Sequence, residues 1–266
     1  MWLIGLFAAF GIAGSLGEAE LHAFERAAAR EIATHLSLRP DTDVRVAVTP
    51  GGLSESLRGA VTHVEIYAAR FMVDGLPLFT ETDLPKSGRI GSLRIRLEDF
   101  VLRGLPVEQL TADLGPCRYD FGLARRTKTL RLTESGEGPG YVRVSEKGLE
   151  RFILHKYRGI ERVRVRLDGD RILVSGAGEF GLFRSEFLVL GRVVPRNGTQ
   201  LYLEDARVVL NGSRADPATT RGFLAAINPV IDENEDLGLR SAMTIERVRI
   251  EDGAVELFGT ARIPAR

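Results

Sequence analysis

Apolar residues recur at every second position over long stretches of this chain. Val44, Val46 and Val48 alternate with polar or small residues, and Leu93, Ile95 and Leu97 alternate with Arg94, Arg96 and Glu98. Tyr119, Phe121 and Leu123 repeat the scheme. One apolar and one polar face is the pattern of antiparallel strands with one solvated side. Gly75, Gly88, Gly104 and Gly115 punctuate the turns, and Thr133–Gly140, with three glycines and a proline, reads as a loop.

Helical spacing appears in three places. Over Ser15–Leu36, Leu21, Phe24, Ala28, Ile32 and Leu36 form one stripe, with Glu25, Arg26 and Arg30 off it. Ser15 and Glu18 have capping-box spacing, and Pro40 prevents extension. The mixed charges favour packing on a sheet over lying on a bilayer, where Lys and Arg dominate the polar face. A second helix starts at Ser145 and carries Leu149, Phe152, Ile153 and Tyr157, with Gly159 at its C-terminal cap. Its opposite face carries Lys147, Glu150 and Arg151. Asp216 and Pro217 supply the N-cap and first turn of a third, which Asn228-Pro229 ends.

Between the second and third helices the strand pattern returns. Val163, Val165 and Leu167 oppose Arg162, Arg164 and Arg166. Strands over Arg171–Ser175, Ser185–Val194 and Thr199–Leu210 follow, with hairpin turns at Asp168-Gly169 and Asn197-Gly198. Ile245–Ile250 does not alternate cleanly, so a bulge or doubly buried stretch is expected there. No linker separates independent domains, so residues 15–266 are expected to form one domain behind the apolar segment 1–14.

Composition narrows the class of function. The 266 residues carry 36 basic and 36 acidic side chains, so no net field recruits nucleic acid. Met1–Ala13 is apolar and uncharged, short for a membrane span of about 20 residues but suited to a signal core or anchor. That points to an exported or membrane-associated protein of the cell envelope or periplasm, with a cytoplasmic site left open as the alternative. The lone Cys117 closes no internal disulfide and reads as a small buried apolar group.

The motifs that suggest chemistry lack their context. Gly176-Ala177-Gly178-Glu179-Phe180-Gly181 spells a dinucleotide fingerprint, but a β run follows it instead of a helix N-terminus. Asp232–Asp236 resembles the start of a calcium loop, yet Leu237 stands where the glycine belongs and Met243 where the glutamate belongs; it reads as a solvated acidic loop. The sequons at Asn197 and Asn211 matter only in a glycosylating host. His22, His35, His63 and His155 show no metal-ligand spacing, and no serine sits in a GxSxG elbow. No cofactor and no enzyme activity are expected. The arginines at 162, 164 and 166, with Arg94 and Arg96, read first as a solvated sheet face, and second as a docking surface for phosphate headgroups.

Leu57-Arg58-Gly59-Ala60-Val61-Thr62-His63-Val64-Glu65-Ile66, the helix at Ser145–Tyr157, the run Asn228-Pro229-Val230-Ile231-Asp232 and the closing hairpin Val248-Arg249-Ile250-Glu251-Asp252-Gly253 together resemble the LmeA-like family of bacterial envelope phospholipid-binding proteins. The resemblance covers Asp43 to Pro264. It implies a TULIP-like α+β architecture, a long curved antiparallel β-sheet wrapping amphipathic helices as a half-barrel, here with an added N-terminal helix. It also implies a lipid ligand. An apolar groove between sheet and helices is then expected to bind phospholipid or another acyl-chain ligand non-catalytically. Leu149, Phe152 and Ile153 would form one wall and Phe223, Leu224 and Ile227 the facing wall, with Arg162, Arg164 and Arg166 as a weak headgroup surface. A membrane surface is a further expected partner, and the oligomeric state is undetermined. The alternative is a structural or protein-interaction module of the envelope with a fully packed core.

Overall fold

Alternation dictates strands, and most of the chain is antiparallel sheet. The computed structural model describes residues 15–266 apart from 53–57, 76–77, 128 and 181–182, with 15–20, 38–39, 180 and 183 described by backbone alone. The apolar segment 1–14, Leu57, Gly181 and the Ser15–Glu18 capping box therefore lie outside the description. The chain has α+β architecture, with an N-terminal helix ahead of the first strand. It divides into two compact units, residues 1–98, 111–139 and 261–266 against 99–110 and 140–260.

In the first unit, helix α1 (Ser15–Thr34) precedes β1 (Ser37–Pro50), which pairs antiparallel with β2 (Ala60–Val73). β3 (Gly88–Leu102) and β4 (Leu105–Leu114) continue the sheet and pass partly into the other unit. β5 (Cys117–Tyr119) joins β3, and β6 (Leu132–Glu134) joins β5. The core holds Val64, Ile66, Ile90 and Leu93, with Ala28 of α1 buried in it and Phe24 and Ile32 packed against it. The stripe read from the sequence is thus the packed face, though the helix stops at Thr34. Its Glu25 accepts the Val48 N–H at 2.8 Å, satisfying a backbone donor of edge strand β1.

Two sequence expectations fail in this unit. Tyr119 ends β5, and Phe121 begins helix α2 (Phe121–Thr127) instead of continuing a strand. Asp120 is the cause, its carboxylate accepting the Leu123 N–H at 2.9 Å at the helix start. The tract at 133–140 is not simply a loop: β6 ends in it and β7 (Gly138–Ser145) begins there. Glycine permits this, since a Cβ on Gly138 would lie 1.9 Å from the Asp113 carbonyl oxygen. Cys117 is fully buried, and burial raises its thiol pKa.

The second unit contains β7, helix α3 (Glu146–Lys156), β8 (Ile160–Asp168), β9 (Arg171–Phe180), β10 (Phe183–Arg196) and β11 (Gln200–Leu210). β12 (Ser213–Arg214), helix α4 (Pro217–Ile227), β13 (Ile231–Asp232), β14 (Met243–Glu251) and β15 (Ala254–Ala261) complete it. One sheet here runs β4-β7-β15-β14, and the other β12-β11-β10-β9-β8 with β13 also on β11. The burial alternation of β14 slips at Glu246-Arg247, where both side chains are exposed, as the broken pattern foretold. The β8–β9 loop is Gly169-Asp170, one residue later than read, because Asp168 pairs with Arg171.

The outer edges of the β8–β11 sheet are closed by helix-borne groups. Edge strand β8 donates its Leu167 N–H to Glu146 at 2.7 Å and its Val165 N–H to Glu150 at 2.9 Å. Those glutamates stand four apart on α3 and share a face, so the helix is laid along the edge. Glu150 is therefore half-buried and engaged, unlike the solvated residue expected beside Lys147 and Arg151, which are exposed. On β11, β12 and β13 pair near opposite ends, and the Asn228 amide bonds Leu203 N and O at 2.9 and 3.0 Å in place of a strand partner. α4 spans the gap between them.

Candidate functional site

Within the second unit, the inner faces of both sheets and the helices α3 and α4 enclose an apolar cavity of about 620 Å³. Ligand pockets commonly occupy about 300–1,000 Å³. β4 contributes Leu105, Val107 and Leu110, and β10 contributes Phe187, Val189 and Val193. Leu201 and Leu203 of β11, Met243 and Ile245 of β14, and Val255 and Leu257 of β15 complete the walls. Most neighbours within a set are two residues apart, as follows directly from side chains pointing alternately to either face of a strand.

The helices turn their apolar stripes to this space. Ser145 caps α3 and accepts the Gly148 N–H, and Leu149, Phe152 and Ile153 line the cavity. The cap at the other end is Tyr157 in extended conformation, not Gly159, which precedes β8. Tyr157 cannot be a left-handed cap in the way glycine can, and its N–H instead bonds Ile153 O at 2.9 Å. On α4, Asp216 accepts the Ala218 and Thr219 N–H groups and Pro217 occupies the first turn, as read from the sequence. Phe223 and Ile227, one turn apart, line the cavity. Leu224 does not, because one residue is about 100° of helix rotation. No residue of α4 is fully buried.

The segment after α4 is fastened to α3. Lys156 Nζ donates to the carbonyls of Pro229 and Val230 at 3.2 and 3.1 Å and to Asp236 at 2.6 Å. Tyr157 donates its hydroxyl to Ile227 O at 3.1 Å, and burial followed by the Asp236 charge pushes its pKa up to about 12. The acidic run is consumed in the same framework. Asp232 accepts the N–H groups of Asn234 and Glu235 at 2.8 and 3.0 Å, and Glu233, buried, accepts Met243 N–H at 3.0 Å. Asp232, Glu233 and Asp236 are thus turned into the framework, while Asn234 and Glu235 stay exposed, so the run is only in part the solvated loop expected.

Arg162, Arg164 and Arg166 lie outside the cavity, exposed on β8, with Arg162 paired to Glu186. Gly176 to Phe180 of the GxGxxG spelling lie on β9, and the next described element is strand β10, not a helix. Among the described residues no group of three or more His, Cys, Asp and Glu side chains is arranged to hold a metal ion. No described helix is long and apolar enough to cross a membrane.

Sequence reasoning found the helical part of the lining and missed the strand part. Alternation had marked those strands as one-sided, yet nothing local distinguishes a face packed shut from a face lining a void. A family model described as LmeA-like phospholipid-binding matches residues 86–260. No curated protein and no solved structure matches.

Proposed function

The chain belongs to the LmeA-like phospholipid-binding family, and from that premise we propose that it binds phospholipid or another acyl-chain ligand non-covalently in this cavity, without converting it, at the bacterial envelope. The observation that carries the reading is the cavity: about 620 Å³ bounded almost wholly by aliphatic and aromatic side chains. At about 24 cal/mol per Å³, keeping such a volume sealed and empty would cost on the order of 15 kcal/mol, as much as a whole domain's stability. A space of that kind persists when it is open to solvent or filled. Acyl chains fill it with favourable burial of about 0.8 kcal/mol per methylene.

The alternative of a fully packed scaffold module predicts side chains where the void is. The envelope and a membrane surface are the places where a protein with such a site meets its ligand. Native mass spectrometry of the purified chain, followed by lipid extraction, tests the proposal. A lipid adduct in the native spectrum that extraction identifies is expected. A protein that carries no lipid and takes none from vesicles would refute it.

A further inference from the structure

The β8–β11 sheet has a second face, turned away from the cavity. Ile172 and Val174 of β9 and Phe187 and Val189 of β10 line the cavity, so Leu173, Ser175, Leu188 and Leu190 between them point outward. Strand register extends these outward pairs into two neighbouring rows. One runs Arg164, Ser175, Leu188, Val209 and Arg214 across β8 to β12, and the other runs Arg166, Leu173, Leu190 and Arg207 across β8 to β11.

Each row has arginine at both ends and apolar or small residues between. All four arginines are exposed, and none forms an ion pair or side-chain hydrogen bond with another described residue. Neither row holds a carboxylate. Acids close by are engaged elsewhere: Glu186 with Arg162, Asp170 and Asp205 with Arg192, and Glu204 with Arg196. Asp168, exposed at the end of β8, is the exception. Leu188 is 38% exposed, one of three large apolar side chains so placed among the described residues, and Leu173, Leu190 and Val209 beside it are half-buried. In a chain with 36 basic and 36 acidic side chains, this segregation creates a local positive field around an apolar centre.

Resting on the envelope reading but independent of what fills the cavity, we propose that this outer face docks the protein on an anionic phospholipid bilayer. The arginines take headgroup phosphates, which their guanidinium forks match, and Leu188 enters the boundary between headgroups and acyl chains. Three and four strand spacings separate the arginine flanks by about 14 and 19 Å, with leucine and valine between them. A soluble phosphodiester would engage one flank and leave the apolar centre wet, whereas a bilayer meets both flanks and the centre together. A second copy of this chain fits poorly, because a two-fold contact through this face would set arginine flanks against each other. Docking is a separate equilibrium from occupancy of the cavity: it brings the protein to vesicles and leaves the affinity of the cavity for acyl chains unchanged.

Co-sedimentation of the full chain with vesicles tests the proposal, using phosphatidylcholine alone and phosphatidylcholine mixed with phosphatidylglycerol of the same acyl chains. The wild type is expected to sediment with the anionic vesicles at low ionic strength and to be released at about 1 M salt, where the screening length is about 3 Å. The double variant Arg166→Gln/Arg207→Gln should weaken partitioning about 25-fold, roughly fivefold per arginine near an anionic surface. Leu188→Ser should weaken it about threefold through the apolar area left in water. Melting temperatures should stay at the wild-type value, since these side chains are exposed. Arg89→Gln/Arg118→Gln, an exposed pair on β3 and β5 of the first unit, should bind as wild type; an equal loss there would assign binding to dispersed charge and overturn the docking face. Wild type that ignores anionic vesicles, or self-associates through Leu188 instead, also overturns it. Lipid carried in the cavity by a protein that does not sediment would overturn the face alone. Sedimentation of a protein that carries and takes no lipid would overturn the cavity reading and support the face.

Discussion

Replacing Val174 with tryptophan separates an open cavity from a packed core. Val174 lies on β9 between its partners Val165 of β8 and Val189 of β10, in the middle of the sheet, yet its side chain lines the cavity and is only half-buried. An indole placed there projects into the void. If it excludes about two to three methylenes of a bound chain, at about 0.8 kcal/mol each, the loss is ~1.6–2.4 kcal/mol, or roughly 15- to 60-fold in affinity. The same substitution in a filled core would overpack it and cost about 1–3 kcal/mol of stability. Urea denaturation of delipidated protein and a lipid-binding titration, run on both proteins, read the two quantities separately. The expected outcome is nearly unchanged stability with strongly weakened binding. A destabilised variant that binds lipid as well as wild type would show that the space is not the ligand site.

Phe223→Asp should lose lipid retention while staying folded, because no residue of α4 is fully buried; a circular dichroism melt beside lipid extraction decides it, and equal retention by the folded variant excludes Phe223 from the site. Affinity should rise about fourfold per added methylene and change little with salt, since screened surface contacts contribute only ~0–1 kcal/mol; a liposome-transfer assay across chain lengths and ionic strengths measures both. Glu256, only 4% exposed, accepts hydrogen bonds from Tyr141, Arg143 and Arg249 at 2.7–2.9 Å. Glu256→Gln should cost about 1.5–3 kcal/mol at neutral pH by urea denaturation.

The pH dependence of that last variant follows from the carboxyl's environment. Burial raises the Glu256 pKa, but the hydrogen bonds from Arg249 and Tyr141 and the arginine charges outweigh it, leaving the folded-state value below the ordinary one. A depressed folded pKa means the stabilisation is complete above the unfolded value, about 4.3, and disappears as pH falls through the lower folded value. The stability difference between wild type and Glu256→Gln should therefore shrink in acid, and a difference that persists unchanged at pH 2 would refute this assignment.

Local order was legible in the sequence wherever one residue's chemistry fixes its own backbone. The Asp216-Pro217 start and Asn228 end of α4 and the Ser145 cap of α3 stand where side-chain acceptors and proline geometry put them. Period two located most strands, and period 3.6 placed Leu149, Phe152, Ile153, Phe223 and Ile227 on apolar stripes. Tertiary structure decided the rest. Asp120 turned Phe121 from strand to helix, and Gly138 let β7 begin in a tract composed like a loop. Glu146 and Glu150 became the cover of a strand edge because that edge lay beside their helix. Alternation states which side of a strand avoids water, but the avoided water can be replaced by packed side chains or by a ligand. That choice depends on the separation of two sheets, set by residues far apart in the chain, and no short stretch of sequence carries it.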